Sequence, residues 1–287
     1  MTKFEKIAVH DSVFHADDVV AVAAIRVLYG CEPAIRRIPS RDDEKQEKLR
    51  EEGFTLIDIG GGEFDHHGAA RDEQYPNGIY LSALGKVLKQ AVKDGKLTQE
   101  ELYILLFNGL YDLQAKDNGQ DYDGVPSPFG FIKWLNYDDV EDDRYQIWQF
   151  RLAVEMAMKV FASMLEDTKK SIPEHEECVK AFKAMGEDGI ANFPHYMHHG
   201  VQECQRWNEV YPEKEVKFFT FPMKNGSYRI QGVNKVGSFA LNHELKYKGL
   251  RNEELNAAAG IDDGIFVHAT GFIGGTDSLE SCYKLAK

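Results

Sequence analysis

The stretch that most constrains this chain is Leu56-Ile57-Asp58-Ile59-Gly60-Gly61-Gly62-Glu63-Phe64-Asp65-His66-His67-Gly68. A short apolar run ends on a carboxylate, three glycines turn the backbone, and an acid with two adjacent histidines follows. Glycine reaches backbone conformations that a Cβ forbids, so the turn can swing His66 and His67 back beside Asp58. That places them at the carboxyl end of a buried strand, where open α/β sheets bind their ligands. The stretch reads as half of a metal site.

The surrounding pattern supplies a sheet to carry it. Residues 6–10 read as a first strand, 17–28 as a helix apolar almost all round and hence buried, 34–38 as a second strand and 55–59 as a third. The charge run at 41–52 is a solvated helix or loop. Residues 81–92 read as a helix, and Thr98 with Glu101 forms a capping-box signature opening another over 102–111. Strands alternating with helices imply an α/β fold with a mainly parallel sheet and helices on both faces. A long helix is expected over 145–165 and a second from Pro173 to about 186, with 166–172 as the boundary between a domain at 1–170 and one at 171–287. The second part changes character: Asn225-Gly226 between two apolar runs signals a hairpin, and a strand at 264–268 leads through a glycine-rich turn at 270–275 into a terminal helix from Ser278.

Composition narrows the partners. The formal net charge is −13, whereas a general nucleic-acid binder carries a basic surplus. A phosphate substrate would therefore be drawn by bound metal or a small Arg/Lys patch. Four cysteines without a C-x-x-C pair suit reduced thiols in a cytoplasmic protein, not a disulfide framework or a thiolate zinc site. No run approaches the ~20 apolar residues that span a bilayer, and the N-terminus lacks a signal-peptide apolar core, so no membrane partner is expected. The oligomeric state stays open, with a homodimer among the possibilities.

The first strand ends His10-Asp11-Ser12-Val13-Phe14-His15-Ala16-Asp17-Asp18. Taken alone, Asp17 or Asp18 reads as a helix N-cap and the histidines as turn residues. Joined with Asp58 and His66, two neighbouring strand ends present His and Asp to one crevice. Asp65 is placed to hold a histidine Nδ1–H behind the ligands, and one further carboxylate is sought in Asp112 or Asp117. Imidazole plus carboxylate without thiolate suits Mn²⁺, Mg²⁺ or Fe²⁺. With this many ligands the natural construction is two ions ~3.5–4 Å apart that activate a water and clamp the oxygens of an in-line phosphoryl displacement. His195, His198 and His199 have no obvious carboxylate partner and read as structural or surface residues. Trp134, Trp148 and Trp207 read as core or interface anchors, and the acidic run at 138–143 as a solvated loop.

The motifs "HDSVFHADD", "LIDIGG", "FDHH", "AKDNG", "GLRNEEL" and "FVHATGFIGG" make the chain resemble the DHH phosphoesterase superfamily and, within it, the melanocyte-proliferating-gene (Myg) family, along nearly its whole length. The resemblance implies a doubly wound N-terminal domain, a smaller C-terminal α+β substrate domain, and two divalent ions, commonly manganese. It assigns His10, His15 and Asp58 to one ion, and Asp17, Asp58, His66 and the fourth-motif aspartate to the other. Asp58 then bridges and His67 faces the phosphate, with Asp65 behind it. Helix-end position favours Asp112 for the fourth motif, and matching "DNG" favours Asp117. His15 stands where pyrophosphatases of the superfamily place aspartate, and Gly68 where many members carry glutamine. Gly274 and Gly275, with His268 and Arg251 as helpers, would cradle a phosphate at a helix N-terminus. Eukaryotic members are similar to 3′–5′ RNA exonucleases, so cleavage of RNA or short oligonucleotides is implied. The rivals are a small-phosphate hydrolase acting on pyrophosphate or a dinucleotide, and a metal-binding protein without activity.

Overall fold

The computed structural model describes residues 3–68, 73–136 and 143–287; nearly all of the acidic run at 138–143 lies outside them. The chain divides into two compact units, Met1–Lys169 and Lys170–Lys287.

In the first unit, β1 (Lys6–His10) is the middle strand of a parallel sheet, between β2 (Ala34–Ile38) and β3 (Thr55–Leu56). Ile7, Ala8 and Val9 are fully buried, as the interior strand of a parallel sheet covered on both faces must be. Strand β3 is shorter than its apolar run suggests because Asp58 already leaves extended geometry, at φ 61°. Helix α1 (Ala16–Tyr29) is buried from Asp17 to Ile25 and stops at Gly30, whose φ of 60° is the left-handed close of a helix. The charged run forms α2 (Asp43–Glu51), which buries only Gln46 and Leu49. Helix α3 (Ala83–Lys93) packs on α1, and α4 (Gln99–Leu105) opens on the Thr98–Glu101 capping box.

The expected straight helix over 102–111 is broken. Asn108 and Gly109 leave helical geometry, Gly109 at φ 115°, and a Cβ there would come within 2.9 Å of the Pro126 carbonyl. The kink sets the direction of α5 (Tyr111–Asp117). A 3₁₀ helix, Pro128–Leu135, follows.

Helix α6 (Asp143–Ala184) runs 42 residues with Pro173 inside it, so the two expected helices are one and the expected boundary segment is helical. Proline removes one main-chain donor and costs about 3 kcal/mol in a helix interior. Packing offsets that: Phe150, Val154, Phe161 and Leu165 belong to the first core, Cys178 and Phe182 to a second. Trp134 and Trp148 are no core anchors, being 70% and 53% exposed; Trp207 does pack against the second core.

The second unit holds a five-stranded sheet, order β4-β5-β6-β8-β7. Strands β4 (Ile190–Asn192) and β5 (Phe218–Pro222) pair in parallel, and β6 (Tyr228–Gly232), β7 (Gly264–Val267) and β8 (Ile273–Thr276) pair antiparallel. The Asn225-Gly226 hairpin joins β5 to β6, with Gly226 at φ 87°. Alternation along β5 sends Phe219 and Phe221 to the core shared with Cys178 and Phe182, and Phe218 to the opposite core with Leu255 of α8 (Asn252–Ala259) and Leu285 of α9 (Leu279–Ala286). Helix α7 (Gly200–Val210) supplies Cys204 to the first of these. No helix among the described residues is long and apolar enough to cross a membrane.

Candidate metal centre

Three turns of the first unit meet at one place. The first leaves β1. Ser12 sits at φ 62°, a conformation uncommon outside glycine, and the turn is tied down around it. Arg37 donates from Nε to the His10 carbonyl (3.1 Å) and from Nη2 to the Ser12 carbonyl (2.7 Å), and Ser12 N–H donates to Gln146 Oε1 (3.1 Å). His10 Nδ1 bonds the Asp11 carbonyl at 2.9 Å. Its Nε2 therefore faces inward, 3.1 Å from Asp18 Oδ2 and 3.8 Å from Asp58 Oδ2. His15 lies beside it, ring centroids 5.2 Å apart.

The second turn leaves β3. Asp58, Gly60 and Gly61 all take positive φ, and Asp58 N–H donates to the Phe64 carbonyl at 3.0 Å. Left-handed backbone at aspartate stores strain of the order of 1 kcal/mol, which concentrates at functional sites. At Gly60 a Cβ would strike Arg50 Nη2 and Leu56 Cδ2 at 2.6 and 2.7 Å. Asp65 closes the turn, accepting from Gly61 N–H (2.6 Å), His67 N–H (3.0 Å) and His67 Nδ1 (2.8 Å). Burial opposes its charge, but the His67 ring and these main-chain donors outweigh that and hold the Asp65 carboxyl down at about 2.

The third turn ends α5. His66 Nδ1 faces Asn118 Oδ1 at 3.3 Å, which leaves Nε2 3.0 Å from both Asp58 Oδ1 and Asp117 Oδ2. Asp17 lies fully buried in the same cluster. It accepts from the Ser82 hydroxyl and from the Leu84 N–H (3.1 Å) in the first turn of α3, whose N-cap is Ser82; its own helix is capped by His15, so the N-cap reading of Asp17 does not hold.

Cation-sized groupings result, with ligand atoms of each within 4.8 Å of one another: His10–His15–Asp58, Asp58–His66–His67 and Asp17–His66–Asp117. Asp58 and His66 each belong to two. His10 Nε2, Asp18 Oδ2, Asp58 Oδ1 and Asp117 Oδ2 are buried without an aligned hydrogen-bond partner, a state that costs about 1–3 kcal/mol per group, more when charged. Carboxylate and imidazole groups converging without aligned hydrogen bonds are what a divalent cation satisfies, and oxygen plus imidazole suits Mn²⁺ or Mg²⁺. The residues present fit such ions.

The electrostatics agree. Burial raises Asp17 well above the carboxylate range, with Asp117 and Asp58 adding repulsion, and raises Asp58 too. Burial opposes charge on His66, but Asp117 and Asp58 outweigh it and raise the ring to about 11. His10 rises to about 9 against its burial, through Asp18. A field that holds protons on buried rings favours a divalent cation in their place, and ligation releases those protons.

Asp112 does not join. Its Oδ2 accepts from Lys116 Nζ (2.7 Å) and Ser127 N–H (2.8 Å), so of the two aspartates Asp117 is the one that lies in the cluster. Ser82, Asn118 and Arg37 carry no sequence expectation, and Asp18 carries only that of an N-cap. Asp18 stood beside Asp17 in the motif and Asn118 in the Asp-Asn-Gly turn, whereas nothing local marked Ser82 or Arg37.

In the second unit the expected helix-terminal cradle is absent. Gly274 and Gly275 lie in β8, paired on both sides by β6 and β7, so their main-chain groups face the ladder. A Cβ on Gly275 would meet Arg229 Nη1 at 2.7 Å, and one on Gly274 would meet Leu285 Cδ1 at 3.0 Å; they are small for packing. His268 is exposed in the turn before β8, its ring edge-on to Phe272, and the Arg251 guanidinium sits over Phe266 at 5.8 Å. The histidine cluster does have carboxylates, from α6: His199 Nδ1 lies 2.9 Å from Glu174 Oε2 and His195 Nε2 3.5 Å from Glu177 Oε2.

The MYG1_exonuc family model, described as Uncharacterised protein family (UPF0160), matches residues 6–287. An MYG1 protein of Dictyostelium discoideum is 28% identical over 319 residues, covering 98% of this chain and 94% of its own. An MYG1 protein of Saccharomyces cerevisiae is 26% identical over 333 residues, covering 99% and 95%. The MYG1 exonuclease of Homo sapiens is 25% identical over 331 residues, covering 98% and 85%. Among solved structures, a pGpG-specific phosphodiesterase of Vibrio cholerae aligns over 98% of this chain and 95% of its own at 11% identity, with a TM-score of 0.29.

Proposed function

Because the chain belongs to the MYG1_exonuc family, UPF0160, we infer that it is a hydrolase of phosphoester bonds, and more specifically a metal-dependent 3′–5′ exonuclease on RNA or short oligonucleotides. The parallel sheet of the first unit is read as the core of a doubly wound DHH-type domain. The observation that supports the reading is the sharing of Asp58 and His66 between adjoining cation-sized groups lined by buried oxygens without an aligned hydrogen bond. His10, His15 and Asp58 would hold one ion, and Asp17, Asp58, His66 and Asp117 the other. Bound there, two divalent ions supply an activated water and a clamp on the phosphoryl oxygens.

The chain's own residues do the rest. Asn118 fixes the His66 ring so that Nε2 presents its lone pair to the site. Asp65 holds the His67 ring through Nδ1, which turns Nε2 outward to meet the phosphate. Asp18 adds charge behind His10. Exposed His268 and Arg251 are the second unit's candidates for substrate contact.

The test sets Mn²⁺ or Mg²⁺ protein against labelled RNA, short oligonucleotides and pyrophosphate side by side. Stepwise shortening from the 3′ end is the expected result, and no cleavage of any phosphodiester overturns the reading. The net charge of −13 favours a second reading, hydrolysis of a small phosphate compound. Salt separates the two: affinity for a long strand falls steeply with salt in proportion to its phosphate contacts, and that for a small substrate falls little.

A further inference from the structure

A groove of about 550 Å³ opens beside the metal centre, entirely within the first unit. That is the size of site that takes one small organic ligand, about 300–1,000 Å³. His15, Asp17, His67 and Asp117 form one end. Beyond them the floor is Phe14, Leu113, Phe129 and Ile132, apolar and packed into the core. Metal ions and inorganic phosphate gain nothing from such a floor. A nucleoside has flat apolar faces that do.

The rim has two features of its own. Val13 is 50% exposed, yet the backbone on either side is fixed. Ser12 is held by Arg37 and Gln146, while Asn136 accepts from Phe14 N–H (3.3 Å) and donates to its carbonyl (2.7 Å). An aliphatic side chain held rigid towards solvent is a contact surface at little entropic cost. Lys116 and Lys133 are the lining cations. Asp112, anchored by Ser127 N–H, holds the Lys116 ammonium, and Lys133 lies over the Trp134 ring. In a chain with 47 acidic and 34 basic residues, two lysines among the groove's lining residues match the two carboxylates, Asp17 and Asp117, at its metal end.

We propose that this groove binds the nucleoside of the nucleotide whose phosphate sits at the metal centre, with Val13 against the base and Lys116 and Lys133 on the adjoining phosphate. The proposal rests on the phosphodiester reading above and adds that the recognised unit is one nucleotide. Asp112 becomes a positioning residue for Lys116.

Calorimetric titration of the full chain with Mn²⁺ present tests it, using AMP and inorganic phosphate as the two probes. AMP is expected to bind at least about tenfold more tightly than phosphate. Val13→Trp, which fills the groove from its rim, brings that ratio to about one, and Lys133→Glu weakens AMP several-fold. Both positions are solvent-exposed, and a melting curve matching the wild type verifies each fold. Equal affinities for the two probes, or an unchanged ratio in Val13→Trp, overturn the proposal. The two readings fail separately. Cleaved oligonucleotide without preference for AMP sinks the groove alone; preference for AMP without cleavage of any phosphodiester sinks the activity alone.

Discussion

In the second unit His199 Nδ1 meets Glu174 Oε2 at 2.9 Å and His175 Nδ1 meets Glu203 Oε2 at 2.6 Å, each as a formed hydrogen bond. In the first unit His10 Nε2 and Asp18 Oδ2 lie 3.1 Å apart and neither makes an aligned bond. Residue types and spacings are alike, and burial is comparable for His10, His66 and His199. The difference is satisfaction. His175 and His199 each make an aligned hydrogen bond to a glutamate, as structural groups do; the first-unit cluster leaves His10 Nε2, Asp18 Oδ2, Asp58 Oδ1 and Asp117 Oδ2 without one. Protein interiors tolerate such local conflict where function requires it. Proximity of histidine and acid therefore identifies nothing by itself; buried polar atoms left without an aligned bond mark the candidate site.

The sharpest way to break that contrast is a paired substitution. His66→Ala removes a side chain shared by two of the cation-sized groups, and turnover on an oligonucleotide should fall by more than the roughly 10–100-fold that loss of an outer partner costs. His199→Ala should leave turnover unchanged and lower the melting temperature. If the two variants exchange phenotypes, the contrast is wrong. Asn118→Ala, which frees the His66 ring without touching a ligand, should cost about 10–100-fold and weaken Mn²⁺ binding in equilibrium dialysis. Asp117→Asn should resemble His66→Ala in the same assays, whereas Asp112→Asn should keep Mn²⁺ affinity and raise KM with little change in kcat.

Ion binding should also separate the regions thermally. At a Mn²⁺ concentration of about 100 Kd the folded state gains about 2.7 kcal/mol, worth roughly 5–10 °C in a unit of this size. The shift should vanish in His66→Ala and persist in His199→Ala, as read by differential scanning fluorimetry.

What the sequence disclosed divides along the same line. The strand-end turns were legible because a parallel sheet puts the carboxyl ends of β1 and β3 together, so His10 and Asp58 could be joined without any contact being known. Choosing between Asp112 and Asp117 was not possible, since the choice depends on the kink at Gly109 and on Ser127, fifteen positions beyond Asp112, arriving to satisfy it. Gly274-Gly275 misled for a related reason. Paired glycines read as a turn, but here Arg229 and Leu285 need the space above a strand. Pro173 likewise reads as a helix start, and only cores at both ends of α6 keep it interior. The partners of the second histidine cluster escaped notice because Glu174 lies 25 positions from His199.

The smallest effect tests the satisfied side directly. Glu174 accepts from the main-chain N–H groups of His198 (3.1 Å) and His199 (2.8 Å), just before α7, as well as from the His199 ring. Burial opposes its charge, but those donors outweigh burial and hold its pKa below the usual glutamate value. A depressed folded pKa means the stabilisation is present in full above the unfolded value, about 4.3, and is lost as pH falls through the folded one. Glu174→Gln keeps an acceptor and removes the charge, so at pH 7 it should cost about 1–2 kcal/mol. The gap in melting temperature between wild type and variant should then narrow as pH is lowered below about 4. A gap constant from pH 7 into the acid range would mean that the carboxylate charge contributes nothing, and the second unit's histidines would lose their claim to be the satisfied ones.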